Sequence, residues 1–462
     1  ASGKGNQTGS TYAKAILTAN NKTNTATEHY YLYLNISNNT FTYSIDNNTP
    51  EILLSIKDGS NNEITSVSGL TYKTVTDGKG ASIKGFDITT KKGLVTILNN
   101  REITTTSSKT EQWNVTVTFV NYNSNQAGNA GKNFTAKLMI QKEEYKLPTL
   151  AEYVVSQYTG TQGENGIYYH NSSLANGAGD NSYRYAGASE SVNNFICFGS
   201  TTSPCPTDNL YRIIGVFGEN NHGVTGKQLV KLIKYDYATS NLLGTDGDYK
   251  GSEAPDTNYY EGSLSSVNTY YWNYKNNTTI NGGTGSNIWS TSLLNKINLN
   301  TNYLNNIGTT WSNLIEDATW KVSGHTTGNV IPSEMYTGEI TNATKTYGPN
   351  DGTSKIGLMY VSDYGFAASP SAWTTTLRNY GGNDVNGTSI KTINWMYIGY
   401  LEWTMAPVSW NSFDVFSLSD DGPVYQSNAN AYWGSRPVLY LKSSVLYDGG
   451  LGTKDSPITL VV

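Results

Sequence analysis

The chain has 462 residues, of which 15% are charged: 31 Lys and Arg stand against 36 Asp and Glu, for a net charge of -5. That balance excludes nucleic acid as a partner, which needs a basic face to displace counterions, and no apolar run approaches the ~20 residues of a membrane-spanning helix. The 10 Trp, 35 Tyr and 10 Phe exclude disorder, because a disordered chain lacks such residues. Asn, Thr, Ser, Gly and Tyr take the place of charge and solvate a surface by hydrogen bonds, a composition suited to life outside a cell. A chain opening on Ala1, without Met and without an apolar signal core, fits a processed N-terminus.

Residues 1–145 read as all-β. Tyr30, Leu32, Leu34 and Ile36 alternate with Tyr31, Tyr33 and Asn35, a period of two that makes one face buried and the other exposed. Short strands are expected near 52–56, 72–75, 83–88 and 94–98, separated by Asp58-Gly59, Asp77-Gly78 and Lys92-Gly93. Val115, Val117 and Phe119 are followed by a polar connection over 121–132 and then by Phe134, Ala136, Leu138 and Ile140, which together predict a closing hairpin. About seven strands at this spacing predict a β-sandwich.

A charged run before Leu147-Pro148 marks a boundary, and residues 146–462 read as an α+β domain. Thr149 is placed to cap a helix over 150–158, with Leu150, Val154 and Tyr158 on one face. Residues 211–217 and 229–235 predict a hairpin. Helices are expected over 291–304 and 311–320, then strands over 356–361, 395–401, 413–418, 424–426 and 436–441, with Asp420-Asp-Gly-Pro423 as a turn. Cys197 and Cys205, with seven residues between them that include Gly and Pro, predict a disulfide closing a small loop; the alternative is two unpaired thiols acting as small hydrophobes.

Ser419-Asp-Asp-Gly-Pro-Val-Tyr425 followed by Gly434, Arg436, Pro437 and Leu441 resembles the closing strands of the C-type-lectin-like fold, in the version shared by sulfatase-modifying-factor-like modules. With Asp208–Phe217 and Ile356–Ala368 added, most of 147–462 resembles surface proteins of gut-dwelling, low-GC Gram-positive bacteria. The resemblance implies a mostly β protein, with an N-terminal β-sandwich and a C-terminal C-type-lectin-like α+β domain. It does not extend to formylglycine-generating activity, which uses a cysteine pair late in the domain, because no Cys follows Cys205. Nor does it extend to calcium-dependent sugar binding, whose Glu-Pro-Asn or Gln-Pro-Asp and Trp-Asn-Asp elements are missing: Asn383-Asp384 and Trp410-Asn411 lack their partners.

Asp246-Gly-Asp248 has a calcium-loop spacing, but the twelfth position from Asp246 is Thr257, so a solvated turn is the simpler reading. Asp420-Asp421 reads as a hairpin turn in the same way, and no cofactor is expected, with calcium as the alternative. Glu402, Asp414 and Asp363 are conceivable glycosidase acids that nothing in the sequence pairs, and Arg436 is expected to bond buried carbonyls. Trp373, Trp395, Trp403, Trp410 and Trp433 crowd the last hundred residues; most should fill core, while Trp403, Trp410 and Trp433 are the candidates for stacking on a sugar ring. Sequons at Asn6, Asn21 and Asn386 would accept glycan in an extracellular chain.

Both ends alternate apolar and polar residues where termini are usually polar. Tyr12, Ala13, Ala15, Ile16 and Leu17 make the N-terminal segment a candidate donor strand for a neighbour's sandwich edge, and pairing within its own sandwich is the alternative. The function expected is therefore a non-enzymatic subunit of an extracellular bacterial filament or surface appendage, with copies of itself as partners. The alternative is a monomeric adhesin or carbohydrate-binding protein on the cell surface, with surface glycans as ligands.

Overall fold

A computed structural model describes residues 5–19, 24–245, 267–274, 285–341, 351–383 and 385–462. The protein is mostly β, built largely from antiparallel sheets, and divides into two compact units, Ala1–Leu147 and Pro148–Val462.

The first unit holds strands β1 (Gln7–Thr18), β2 (Ala26–Asn39), β3 (Ile52–Asp58), β4 (Tyr72–Thr76), β5 (Ser82–Asp87), β6 (Gly93–Thr105), β7 (Ser108–Phe119) and β8 (Phe134–Gln141). They form a five-stranded sheet in the order β1-β7-β3-β5-β4 and a three-stranded sheet in the order β6-β2-β8. Period-two alternation sends Leu32, Leu34 and Ile36 from one sheet and Leu54, Ile56 and Val115 from the other into a shared core, as in a sandwich. The expected hairpin of β7 with β8 does not form: the two strands lie in different sheets, and β8 pairs with β2. The connection crosses between sheets because each strand has one apolar face to bury. Its polar residues are tied down by the buried Glu51, whose carboxylate accepts from Gln126 Nε2 (2.8 Å) and Asn129 Nδ2 (2.9 Å).

The second unit begins with the helix Leu150–Ser156, capped reciprocally: Glu152 N–H donates to Thr149 Oγ1 (3.2 Å) and Thr149 N–H to Glu152 Oε2 (2.8 Å). Strands β9 (Ile167–His170), β10 (Ser182–Tyr185), β11 (Phe195–Cys197), β12 (Leu210–Phe217) and β13 (Leu229–Lys234) join Ile356–Gly357 and Val438–Tyr440 in a seven-stranded sheet. The β12–β13 hairpin lies at its centre, and every residue of both strands is buried. A five-stranded sheet takes Thr269–Tyr271, Tyr432–Gly434, Glu402–Pro407, Asp414–Leu418 and Val424–Asn428, the last two joined across the predicted Asp420–Pro423 turn.

Three expected elements differ. The 311–320 helix stops at Ser312, because Ala318–Trp320 pairs as a strand with Gly352–Ser354. The 356–361 strand stops at Gly357, and Val361–Ala367 is a helix whose Gly365 lets Pro332 approach to 2.7 Å of where a Cβ would stand. No strand forms over 395–401, where buried arginines take the carbonyls: Arg212 donates to Trp395 O (3.4 Å) and Arg436 to Met396 O (2.9 Å).

Cys197 and Cys205 are disulfide-bonded, linking the end of β11 to the approach to β12. Opening this short loop with Cys205→Ser should lower the stability of the second unit by about 2 kcal/mol. Urea unfolding checks this, and an unchanged midpoint would contradict it.

Candidate functional site

Strand β1 lies at one end of its sheet and pairs antiparallel with β7 of its own chain over its whole length, from Gln7 opposite Phe119 to Thr18 opposite Ser108. Its two faces are unequal. Ala13, Ala15 and Leu17 point inward and are only half-buried against the core, so little apolar area anchors the strand. Tyr12 and Ile16 point outward and are 60% and 67% exposed, flanking Lys14, whose ammonium lies 5.3 Å from the Tyr12 ring. What holds β1 is therefore mainly its ladder of main-chain hydrogen bonds, and its far edge faces no strand among the described residues.

The C-terminus behaves differently. Ile458 and Leu460 are buried, Ile458 N–H donates to Phe195 O (2.9 Å), and Cys197 N–H donates to Ile458 O (2.9 Å). The last strand is thus part of the second unit's core, beside the disulfide.

The tryptophan candidates separate clearly. Trp403 is fully buried and its indole N–H donates to Tyr270 O (2.6 Å), so it offers no face to a ligand and is corrected to a core residue. Trp433 is half-buried against Trp403 and Tyr432. Trp410 is 52% exposed and is the one exposed indole of the ten.

The three conceivable acids are each engaged separately. Glu402 accepts from Arg436 Nε (2.6 Å) and Nη2 (2.8 Å), so Arg436 bonds a carboxylate as well as the expected carbonyl. Asp414 accepts from Asn411 (2.6 Å), and Asp363 faces Lys231 and Arg184. Asp420 sits in its turn, where its carbonyl accepts from Tyr397 Oη (2.5 Å). Asp246 and Asp248 lie outside the described residues, as does Asn21. Among the described residues no three His, Cys, Asp or Glu side chains gather as a metal site. Asn6 donates its amide to Asp77 (2.9 Å), and Asn386 donates to Ser371 O (3.0 Å).

A buried charge cluster went unnoticed in the sequence. Arg184 Nη2 lies 2.8 Å from Asp180 and Nη1 3.5 Å from Asp363, whose other oxygen is 2.5 Å from Lys231 Nζ; all four side chains are at most 3% exposed. Burial would strip charge from Asp180, but Arg184 and the Ser182 hydrogen bonds outweigh it and hold the carboxyl well below its ordinary range. Arg212, buried against Phe195 and Trp395 with only neutral acceptors, is brought down to about 9, first by burial and then by the nearby Arg436 charge. The available signals were Lys231 flanked by apolar residues in its strand and the Asp180–Arg184 spacing in a Gly- and Asn-rich stretch.

Comparison with protein-family models, curated proteins and solved structures gives no match to this chain.

Glu339, fully buried beside this cluster, is pushed up to about 8 from an ordinary 4.5, chiefly by burial, with hydrogen bonds from Ser362 and Val361 opposing and Asp363 adding to it. Between those values the folded state keeps a proton that the unfolded state has released. Its contribution is therefore complete below 4.5 and is lost as pH rises through about 8. The midpoint of thermal unfolding of the second unit should fall as pH climbs across this window, and Glu339→Gln should flatten that slope; parallel slopes would contradict the assignment.

Proposed function

We propose that the chain is a non-enzymatic, self-assembling subunit of an extracellular bacterial filament or surface appendage, joined through exchange of its N-terminal strand. The observation that carries this reading is the character of β1: twelve residues long, at a sheet edge, and anchored inward by two alanines and one leucine. When β1 of one copy takes the place of β1 in the next, the hydrogen bonds formed repeat those given up, so the exchange costs little. Tyr12 and Ile16 stay on the outward face, as in the unexchanged strand. Because each copy donates one strand and accepts another, the contact is head to tail and propagates.

The disulfide and the low charge support an extracellular setting, since disulfides persist in oxidising compartments. The second unit, whose closing strands resemble the C-type-lectin-like fold, would be displayed along the polymer. A monomeric surface adhesin is the second reading, and Trp410 favours it, because an exposed indole is the kind of face that stacks on a sugar ring.

Light scattering tests assembly. The full chain should form particles that grow with concentration, deletion of residues 1–18 should leave monomers, and a free peptide of residues 7–18 should arrest growth of the full chain. Growth that survives the deletion undiminished would overturn strand exchange. On a glycan array, selective binding that Trp410→Ala reduces at least tenfold would favour the adhesin, whereas no selective binding is expected of a purely structural subunit.

A further inference from the structure

Lys231 occupies a chemically unusual position. It lies within β13, its side chain is 1% exposed, and its Nζ stands 2.5 Å from Oδ2 of Asp363, itself 2% exposed. Aromatic rings close the shell, with Nζ 4.2 Å from the Tyr360 ring centroid, 5.4 Å from Phe217 and Tyr440, and 5.7 Å from Trp320. A surface ion pair is held apart by hydration and side-chain freedom; this one has neither.

Asp363 is equally fixed. It is the third residue of the Val361–Ala367 helix, and its Oδ2 also accepts from Tyr360 N–H (3.1 Å). The buried Glu339 carboxyl group accepts from Val361 N–H (2.8 Å) and Ser362 N–H (3.0 Å), holding the turn that carries Asp363. Glu339 is thus a positioning residue. Oδ1 of Asp363 faces Arg184 Nη1 at 3.5 Å.

We propose that Lys231 and Asp363 become joined by an amide bond between Nζ and Cγ, formed in the folded core with loss of one water. The short Nζ to Oδ2 contact puts nitrogen and Cγ roughly 3–3.5 Å apart, the range of a near-attack arrangement, where fixed partners react as though at about 10⁵ M or more. A proton first passes from the ammonium to Oδ2, which a dry apolar shell favours because it removes two charges at once. Burial supports this step, since it lowers the proton affinity of Lys231.

The nitrogen lone pair then attacks Cγ. The Nζ–Cγ bond forms, the Cγ–Oδ2 bond breaks, and Oδ2 departs as water with two protons that began on Nζ. Oδ1 remains as the amide oxygen, and Arg184 faces the negative charge that develops on it in the tetrahedral intermediate. No oxidant or other reactant is needed. The charges stay balanced as well: condensation consumes one cation and one anion, and Arg184 keeps Asp180 as its partner. The bond would tie the central sheet to the helix across 132 residues of sequence, and it stands whether or not the chain polymerises.

Mass spectrometry of the denatured full chain tests it. After allowance for the disulfide, the mass should be one water below that of the sequence, and a protease digest should yield one branched peptide containing Lys231 and Asp363. Lys231→Met and Asp363→Ala should each restore the water and abolish the branched peptide. Should those variants fail to fold, the native digest decides alone. A full sequence mass, or a lost water without the Lys231–Asp363 branched peptide, would overturn the proposal.

Discussion

The second unit depends on the pairing of charges inside it. An unpaired ion in such an interior costs several kcal/mol, so Arg184 and Lys231 stand against Asp180 and Asp363, and Arg436 against Glu402, while Arg212 is held by neutral acceptors and its burial lowers its proton affinity. Each group ties elements distant in sequence: the first joins β10 and β13 to the Val361–Ala367 helix, and the second joins Glu402, where its strand begins, to the approach to Val438–Tyr440. The same demand shapes the backbone around them. Residues 395 and 396 forgo a strand because their carbonyls serve Arg212 and Arg436.

A chain poor in charge that commits several of its ions to its interior has fewer left for its surface. Edge strands in soluble proteins are commonly guarded by charge, lysine above all. On the outward face of β1 only Lys14 stands between the exposed Tyr12 and Ile16. The buried charges and the lightly guarded edge are thus two aspects of one composition. The C-terminal strand carries a similar apolar alternation but has Ile458 and Leu460 sunk in the core, so the two ends of the chain are not equivalent.

Legibility in the sequence followed the physics of each element. The first unit was readable because each strand has one wet face, so Leu32, Leu34 and Ile36 announce themselves by alternation, as does the β12–β13 hairpin by its two apolar runs. Which sheet a strand joins was not readable from alternation, and β7 and β8 therefore looked like a hairpin. The Val361–Ala367 helix was hidden because it is buried on every side and carries Gly365, leaving no polar face to betray its period. Its one local signal was Asp363 three residues after Tyr360, whose N–H it caps. Lys231 stands in plain view in its strand, but its partner Asp363 lies far away in sequence. Of the stacking candidates, exposure separated Trp410 from Trp403, and exposure is a tertiary property.

The central claim is that β1 of one copy takes its place beside β7 of another. Lys14 and Gln112 are directly opposed in the β1–β7 register, so two versions of the chain can report on it, one carrying Lys14→Cys and the other Gln112→Cys. Mixed, assembled and mildly oxidised, they should form a disulfide-linked heterodimer seen on non-reducing gels, in preference to either homodimer. A mixture that stays monomeric under oxidation, while a chain carrying both cysteines closes its own intramolecular bridge at every concentration, would contradict strand exchange.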